Sequence, residues 1–241
     1  MTKIIDIKRI TKNFISFNVA IGIAPDDLNF WNLVAANLWE PITFHIFSKF
    51  LRRNCSYIDI GAWIGPTVLY GSQLCRCCYA IEPDPVAFEA LKTNINLNPE
   101  ILNVELFEGA IGNTNGKTSM GVYNQMGESI SGFMFTKDSF EVESITLESF
   151  FDKYKIIDCN FIKMDIEGGE YVVLPASKRF LEKIKPTLFL SLHPFFATNS
   201  IEETNSITEI LKIYRHIYHL SGREIRNLHG VHEVIATDED L

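Results

Sequence analysis

The sequence predicts an α/β domain built on a doubly wound, mostly parallel sheet. Three observations carry that reading. Apolar runs and helix-spaced segments alternate from Cys55 onward, the pattern of parallel strands joined by crossover helices. The first run breaks at Gly61 and Gly65 and passes into a helix, as strands do where an open sheet meets a ligand. The next run ends on Glu82, 21 residues after Gly61, where a carboxylate can accept hydrogen bonds from both ribose hydroxyls.

The elements follow in order. "CSYIDI" (55–60) is a short apolar run, "PTVLYGSQL" (66–74) a helix and "CCYAIE" (77–82) a second strand. "DPVAFEALKTNINLN" has helical spacing through Val86, Leu91 and Ile95, and "NVELFEGAI" is a third strand. "CNFIKMDI" is a fourth strand, "GGEYVVLPASKRFLEKI" a helix broken at its proline, and "PTLFLSLHP" a fifth strand. "IEETNSITEILKIYRHIY" reads as one helix and "HEVIATD" as a closing strand. With short pieces added, the sheet should hold about seven strands with helices on both faces.

Two segments depart from this rhythm. Residues 1–50 form an extension packed on the domain, helical where Phe44, Phe47 and Leu51 recur at helical spacing. Residues 112–150 contain "NTNGK" and strand-like pieces, an inserted hairpin over one end of the sheet. No linker separates the remainder, so 51–241 reads as the ligand-binding domain of a single-domain protein.

Composition narrows the function. The 241 residues are 46% hydrophobic with a net charge of -8, which argues against a nucleic-acid partner. No apolar run is long enough for a membrane span. Lys3, Lys8, Arg9 and Lys12 precede the apolar stretch 14–24, as in a secretory leader, but Asp6, Ser16 and Asn18 interrupt that pattern. Alternation across Phe14–Val19 predicts a strand instead. The five cysteines are odd in number and irregular in spacing, which fits a reducing, cytoplasmic compartment. "CRCC" (75–78) lacks the further ligands of a zinc site.

The loop "DIGAWIGPT" carries Gly-x-x-x-Gly without the third glycine of a dinucleotide fingerprint, which disfavours an NAD-dependent oxidoreductase. Asp59 beside it would repel a pyrophosphate and favour a cationic sulfonium or ammonium. "YIDIGAWIGPTVLY", "AIEPDPVAFEALKTNINLN", "GAIGNTNGK", "ITLESFF", "FIKMDIEGGEYVVL" and "LSLHP" occur in that order. Together they resemble the FkbM-like family of class I S-adenosylmethionine-dependent methyltransferases, roughly over residues 40–195. The resemblance implies a Rossmann-like sheet, S-adenosylmethionine as cofactor and O-methylation of a small molecule, sugar or glycan hydroxyl. Trp63 and Pro66 stand where the family usually has Asn and an aromatic residue, and "SLH" replaces its commoner acidic-x-His.

Carried over position by position, the resemblance places Gly61, Ala62 and Gly65 along the methionine part, with Asp59 near its amino group. Glu82 would hold the ribose, and Glu108, Gly109 and Ala110 would flank the adenine. Glu40 in "WEP" would cap the amino group or sit near the substrate; as a plain helix-start acid it would do neither.

A hydroxyl acceptor must lose a proton during transfer. Asp165 and Glu167 at the end of the fourth strand can act as base and positioning group or share a divalent cation, with the metal-free reading preferred. Glu167 and Glu170 can equally serve only the following helix N-terminus. His193 ends the fifth strand and is a natural base, its ordinary pKa lying near neutrality. N-methylation is the enzymatic alternative; a silent cofactor-binding domain is the non-enzymatic one.

Overall fold

The computed structural model describes residues 6–133 and 135–241; Lys3 of the basic run lies outside them. The chain opens with a hairpin, β1 (Asp6–Lys12) and β2 (Ile15–Ile21), followed by α1 (Asp27–Ala35) and α2 (Pro41–Phe50). The alternating segment then gives β3 (Ser56–Ile60), α3 (Pro66–Gly71), β4 (Cys77–Glu82), α4 (Pro85–Asn96) and β5 (Val104–Glu108). An insertion supplies β6 (Ala110–Gly112), β7 (Gly116–Val122), β8 (Ser131–Gly132) and β9 (Lys137–Thr146). The chain returns through α5 (Leu147–Tyr154), β10 (Cys159–Met164), α6 (Glu170–Ile184), β11 (Thr187–Ser191), α7 (Ser200–Leu211), β12 (His216–His219) and β13 (Glu233–Thr237).

Seven strands form the central sheet in the order β12-β13-β11-β10-β3-β4-β5. Pairing from β11 to β5 is parallel, and β13 is antiparallel to both neighbours. β3 is buried along its whole length, as expected for a strand covered on both faces. The order reverses at β3, so β3 and β10 carry their loops away on opposite sides and leave a crevice beyond their C-terminal ends.

Each face of the sheet has its own core. One holds Phe44, Phe47, Tyr57, Tyr70 and Phe161 beneath α2, α3 and α4. The other holds Ile58, Met164, Leu174, Leu190 and Leu211 beneath α5, α6 and α7.

The extension contains the expected helix and strand, together with a second strand that pairs with the first. The edge of β2 not paired with β1 is closed by α4 and the turn that follows it. Asn98 accepts from the Asn18 N–H at 2.7 Å and donates to the Asn18 carbonyl at 2.8 Å. Asn94 accepts from the Ala20 N–H at 2.8 Å and donates to the Ile64 carbonyl at 2.8 Å. Both asparagines are fully buried, so their amides satisfy backbone groups that would otherwise be desolvated without partners.

Three sequence readings are corrected. "NVELFEGAI" is two strands in two sheets, separated by Gly109. A Cβ there would fall 2.4 Å from the Phe107 ring and 2.9 Å from the Glu143 carbonyl. The helix expected over 201–218 stops at Leu211; His216–His219 pairs with β13 instead, tertiary pairing overriding local spacing. The helix expected to break at Pro175 continues through it. One intrahelical donor is lost there, but Val173, Leu174 and Leu181 stay buried against the sheet.

Candidate functional site

The C-terminal ends of β3, β4, β10 and β11 open into a cavity of about 390 Å³, within the range of small-molecule sites. Its walls include Trp39, Glu40, Gly61–Trp63, Glu82, Ala110, Lys163, Asp165, Glu167, His193 and Glu233. Of the residues read from sequence, Glu40, Gly61, Ala62, Glu82, Ala110, Asp165, Glu167 and His193 therefore meet in one space. Asp59, Gly65, Glu108 and Gly109 do not line it.

Gly61 has φ +85°, and a Cβ there would sit 1.9 Å from the Asp165 carbonyl oxygen. Its lack of a side chain thus serves the junction of β3 with β10, where the Asp165 N–H also donates to the Ile60 carbonyl at 3.0 Å. Val at this position would disturb the fold, whatever its effect on a ligand. Gly65 has φ +93° at the start of α3, and a Cβ would meet Leu91 at 2.6 Å.

Glu82 is 4% exposed and accepts backbone N–H groups from Trp63 and Asp84, each at 2.8 Å. Burial pushes its carboxyl up to about 8, despite those two hydrogen bonds, with Asp84 and Asp59 adding to the rise. Each oxygen retains a lone pair for a ligand hydroxyl.

Trp63 extends this arrangement. Its indole N–H donates to the Gly127 carbonyl at 2.9 Å, and the Gly127 N–H donates to Asp84 at 2.8 Å. Asp84 also caps α4 through Val86 and Ala87. Hydrogen bonds thus join the β3 loop, Glu82, Asp84 and the turn between β7 and β8 in one ring. Phe30 packs edge-on against Trp31, Trp39 and Trp63, with ring centroids 4.9, 5.0 and 4.5 Å away.

Lys163 lies one residue before the C-terminal end of β10 and is 4% exposed. Its ammonium is 3.4 Å from Asp165 and 3.7 Å from the fully buried Asp59. Burial opposes its charge, but Asp165, Asp59 and Glu40 outweigh it and hold the ammonium above its usual range. Asp59 does not line the cavity and acts on it through Lys163 and Thr67, which do. Burial pushes Glu40 up to about 7 against the pull of Lys163, with Asp165 and Glu233 adding to the rise.

His193 sits among three acids. Its Nδ1 is 3.0 Å from Glu170, while Nε2 is 3.4 Å from Glu167 and 3.6 Å from Asp165. Glu170 is fully buried and accepts the N–H groups of Ile166 and Gly168, each at 2.9 Å. Burial opposes a charge on His193, but the Glu170 hydrogen bond and the three acids win and raise it to about 9. Glu167 is raised to about 7, first by burial and then by Asp165 and Glu170, against the pull of His193. The sequence suggests His193 as a base; its surroundings of three acids favour the protonated ring. Glu167, beside it, titrates near neutrality rather than in the usual carboxylate range.

Sequence reasoning missed three contributors. Lys163 was visible as a lone charge in the otherwise apolar "FIKMDI". Glu170 reads from sequence as a helix-start acid, although it also holds the 166–168 turn and His193. Glu233 approaches from the antiparallel strand β13, which no motif spacing connects to β10.

An acid-lined crevice at the switch point of a doubly wound sheet, with a buried carboxylate one strand away, matches a class I methyltransferase architecture. The chain belongs to the FkbM methyltransferase family, which is S-adenosylmethionine-dependent: the Methyltransferase FkbM domain matches residues 59–218. The crystal structure of methyltransferase FkbM from Methylobacillus flagellatus KT superposes with a TM-score of 0.51 at 17% identity, covering 85% of this chain and 52% of that one. The chain thus spans about half the length of that relative. SMU.1697c, a putative methyltransferase from Streptococcus mutans in complex with SAH, gives 0.45 at 14% identity over 74% of this chain and 84% of that one. An rRNA methylase from Streptococcus thermophilus gives 0.46 at 10% over 80% and 91%. No curated protein matches. No helix among the described residues is long and apolar enough to cross a membrane.

The residues present fit the family's cofactor. Among the described residues five acids line the cavity against one lysine and one histidine; Glu40, Glu82 and Glu167 are raised by burial, and a sulfonium and an ammonium beside them would favour their ionised forms.

Proposed function

We propose that this protein transfers a methyl group from S-adenosylmethionine to a hydroxyl of a small molecule, sugar or glycan. The observation that carries this is the union, in one cavity, of Glu82 and the Gly61–Trp63 loop with Asp165, Glu167 and His193. S-adenosylmethionine, when bound, supplies an activated methyl on its sulfonium.

The chain's own residues do the rest. Glu82 accepts the ribose hydroxyls, and the Gly61–Trp63 backbone holds the loop against them. Lys163 is the lysine available to a ligand carboxylate, and Glu40 faces the ligand ammonium. Glu167 takes the acceptor's proton, Asp165 orients the hydroxyl, and the His193 imidazolium steadies negative charge developing on its oxygen.

The same charges argue against N-methylation. Carboxylates stabilise an ammonium, which has no lone pair to attack a methyl group. They also repel phosphodiester chains, so a nucleic-acid acceptor is disfavoured. The free cysteines fit a reducing, cytoplasmic setting.

A labelled-methyl screen over hydroxylated metabolites tests the reading. The expected product carries its label on oxygen. Labelled amines with no labelled ethers would replace it with N-methylation, and no product alongside tight S-adenosylhomocysteine (SAH) binding would leave a silent binding domain.

A further inference from the structure

The cluster beyond β10 and β11 is more tightly organised than proton transfer requires. Glu170 is the organiser. Its carboxylate takes two backbone N–H groups and the His193 Nδ1. The imidazole is thereby fixed in orientation, and Nε2 is turned toward the cavity.

Around Nε2 the distances are unlike those of hydrogen bonds. Asp165 Oδ1 is 3.6 Å away and Glu167 Oε2 is 3.4 Å away, both longer than the usual 2.7–3.2 Å. They resemble the spacing between neighbouring ligands on one cation. With bonds of about 2.1 Å, ligand atoms lie about 3.0 Å apart in octahedral and about 3.4 Å apart in tetrahedral geometry. Histidine ligands commonly hold their remote N–H against a carboxylate, as His193 does against Glu170. Donor atoms of Asp165, Glu170 and His193 all lie within 4.8 Å of one another. The oxygens of Glu170 already serve the backbone and the ring, so Glu170 orients and Glu167 binds.

We propose that Asp165, Glu167 and His193 Nε2 form a site for a divalent transition cation, with Glu170 as its orienting carboxylate; the cation displaces the Nε2 proton to solvent while Nδ1–H stays on Glu170. An imidazole with two carboxylates suits manganese, iron(II) or zinc better than magnesium or calcium, which prefer all-oxygen sites. The proposal rests on the methyl-transfer reading for its purpose. The cation would hold the acceptor oxygen and ease loss of its proton, a role filled by the imidazolium when the metal is absent. Each carboxylate keeps a second oxygen to receive that proton. The cation also offsets the acid surplus of the cavity.

The test uses the full chain without cofactor or acceptor. Free Mn²⁺ is followed by its paramagnetic resonance signal as protein is added, with Zn²⁺ as competitor. The expected result is one Mn²⁺ per chain, displaced by Zn²⁺. Asp165→Asn and His193→Ala should lose binding, and Glu170→Gln should weaken it about 10–100-fold. Circular dichroism confirms that each variant is folded, and SAH calorimetry on the same samples separates the two claims. SAH binding with no Mn²⁺ or Zn²⁺ binding overturns the metal site and leaves the methyl-transfer reading intact. Mn²⁺ binding with no response to SAH or S-adenosylmethionine supports the site and sinks that reading. Mn²⁺ binding unchanged in Asp165→Asn, Glu167→Gln and His193→Ala overturns the assignment of these residues.

Discussion

Glu82 and Glu170 show how one side chain can organise a site by hydrogen bonding to the backbone. Glu82 is held by the Trp63 and Asp84 N–H groups, so its oxygens are placed before any ligand arrives. Glu82→Ala should weaken SAH binding by about 0.5–1.5 kcal/mol for each ribose hydrogen bond lost. Calorimetry reads this directly, and unchanged affinity would remove Glu82 from the cofactor site. At the other end of the cavity, Glu167→Gln should lower turnover roughly 10²–10⁴-fold with SAH affinity nearly constant. Equal loss of turnover and affinity would make Glu167 a binding group. Much at this scale was legible in the sequence: the glycine loop, Glu82 and "MDIEGGE" each announce themselves by spacing. Asp59 was not, because an acid next to the loop looks available until Lys163 is seen between it and the cavity. The charge state of His193 was not legible either, since it depends on three acids brought together only by folding.

At the scale of elements, the hairpin and α4 form one unit. Asn94 and Asn98 complete the β2 edge from a helix and the turn that follows it, over seventy residues away. Asn98→Ala would leave the Asn18 N–H and carbonyl unpaired within a packed region. It should destabilise the protein by about 1–3 kcal/mol, measured by denaturant unfolding, with SAH affinity little changed in the folded state. A loss under about 0.5 kcal/mol, the range of ordinary surface changes, would mean that water replaces the asparagine. The β–α alternation was readable because each strand is an apolar run closed by glycine, proline or acid. The edges were not. β12 was read as the end of a helix, since "HIYH" is amphiphilic either way and only pairing with β13 decides it. The two asparagines look like ordinary helix-surface residues until the hairpin lies on them.

For the molecule as a whole, the acid surplus in the cavity links stability to pH. Glu40 and Glu167 are raised to about 7 and Glu82 to about 8, against about 4.3 for an unfolded glutamate. Between those values the folded chain keeps protons that the unfolded chain releases, so stability falls as pH rises. His193, raised to about 9, has the same sign: its contribution is full below about 6.5 and is lost as pH passes through 9. Lys163 faces Glu40 and Glu167 and moderates their rise, while Asp165, Glu170 and Glu233 add to the upward shifts. Asp158 and Asp238 are lowered: Arg76 leads for Asp158, and for Asp238 the Arg215 N–H and Lys185 prevail over burial. Both favour the fold above their unfolded pKa and lose that contribution in acid. The ligand-free protein should therefore melt highest in mildly acidic buffer and progressively lower from pH 5.5 to 8.5. Glu82→Gln should flatten that slope, and a melting point that rises over this interval would contradict the charge assignment. We propose that residues 1–50 and 51–241 act as one domain, because Trp39 and Glu40 share the cavity wall with β3 and β10.

All three tryptophans of the chain gather around Phe30. Trp39 and Trp63 line the cavity, while Trp31 is fully buried. Two of the three tryptophans that dominate this protein's emission therefore report from one wall of its site. SAH should shift or quench that emission on saturation, giving an optical titration that needs no label, acceptor or turnover. Trp31 supplies a steady background. Trp63→Phe, which also removes the indole bond to Gly127, should erase much of the change and leave the part due to Trp39.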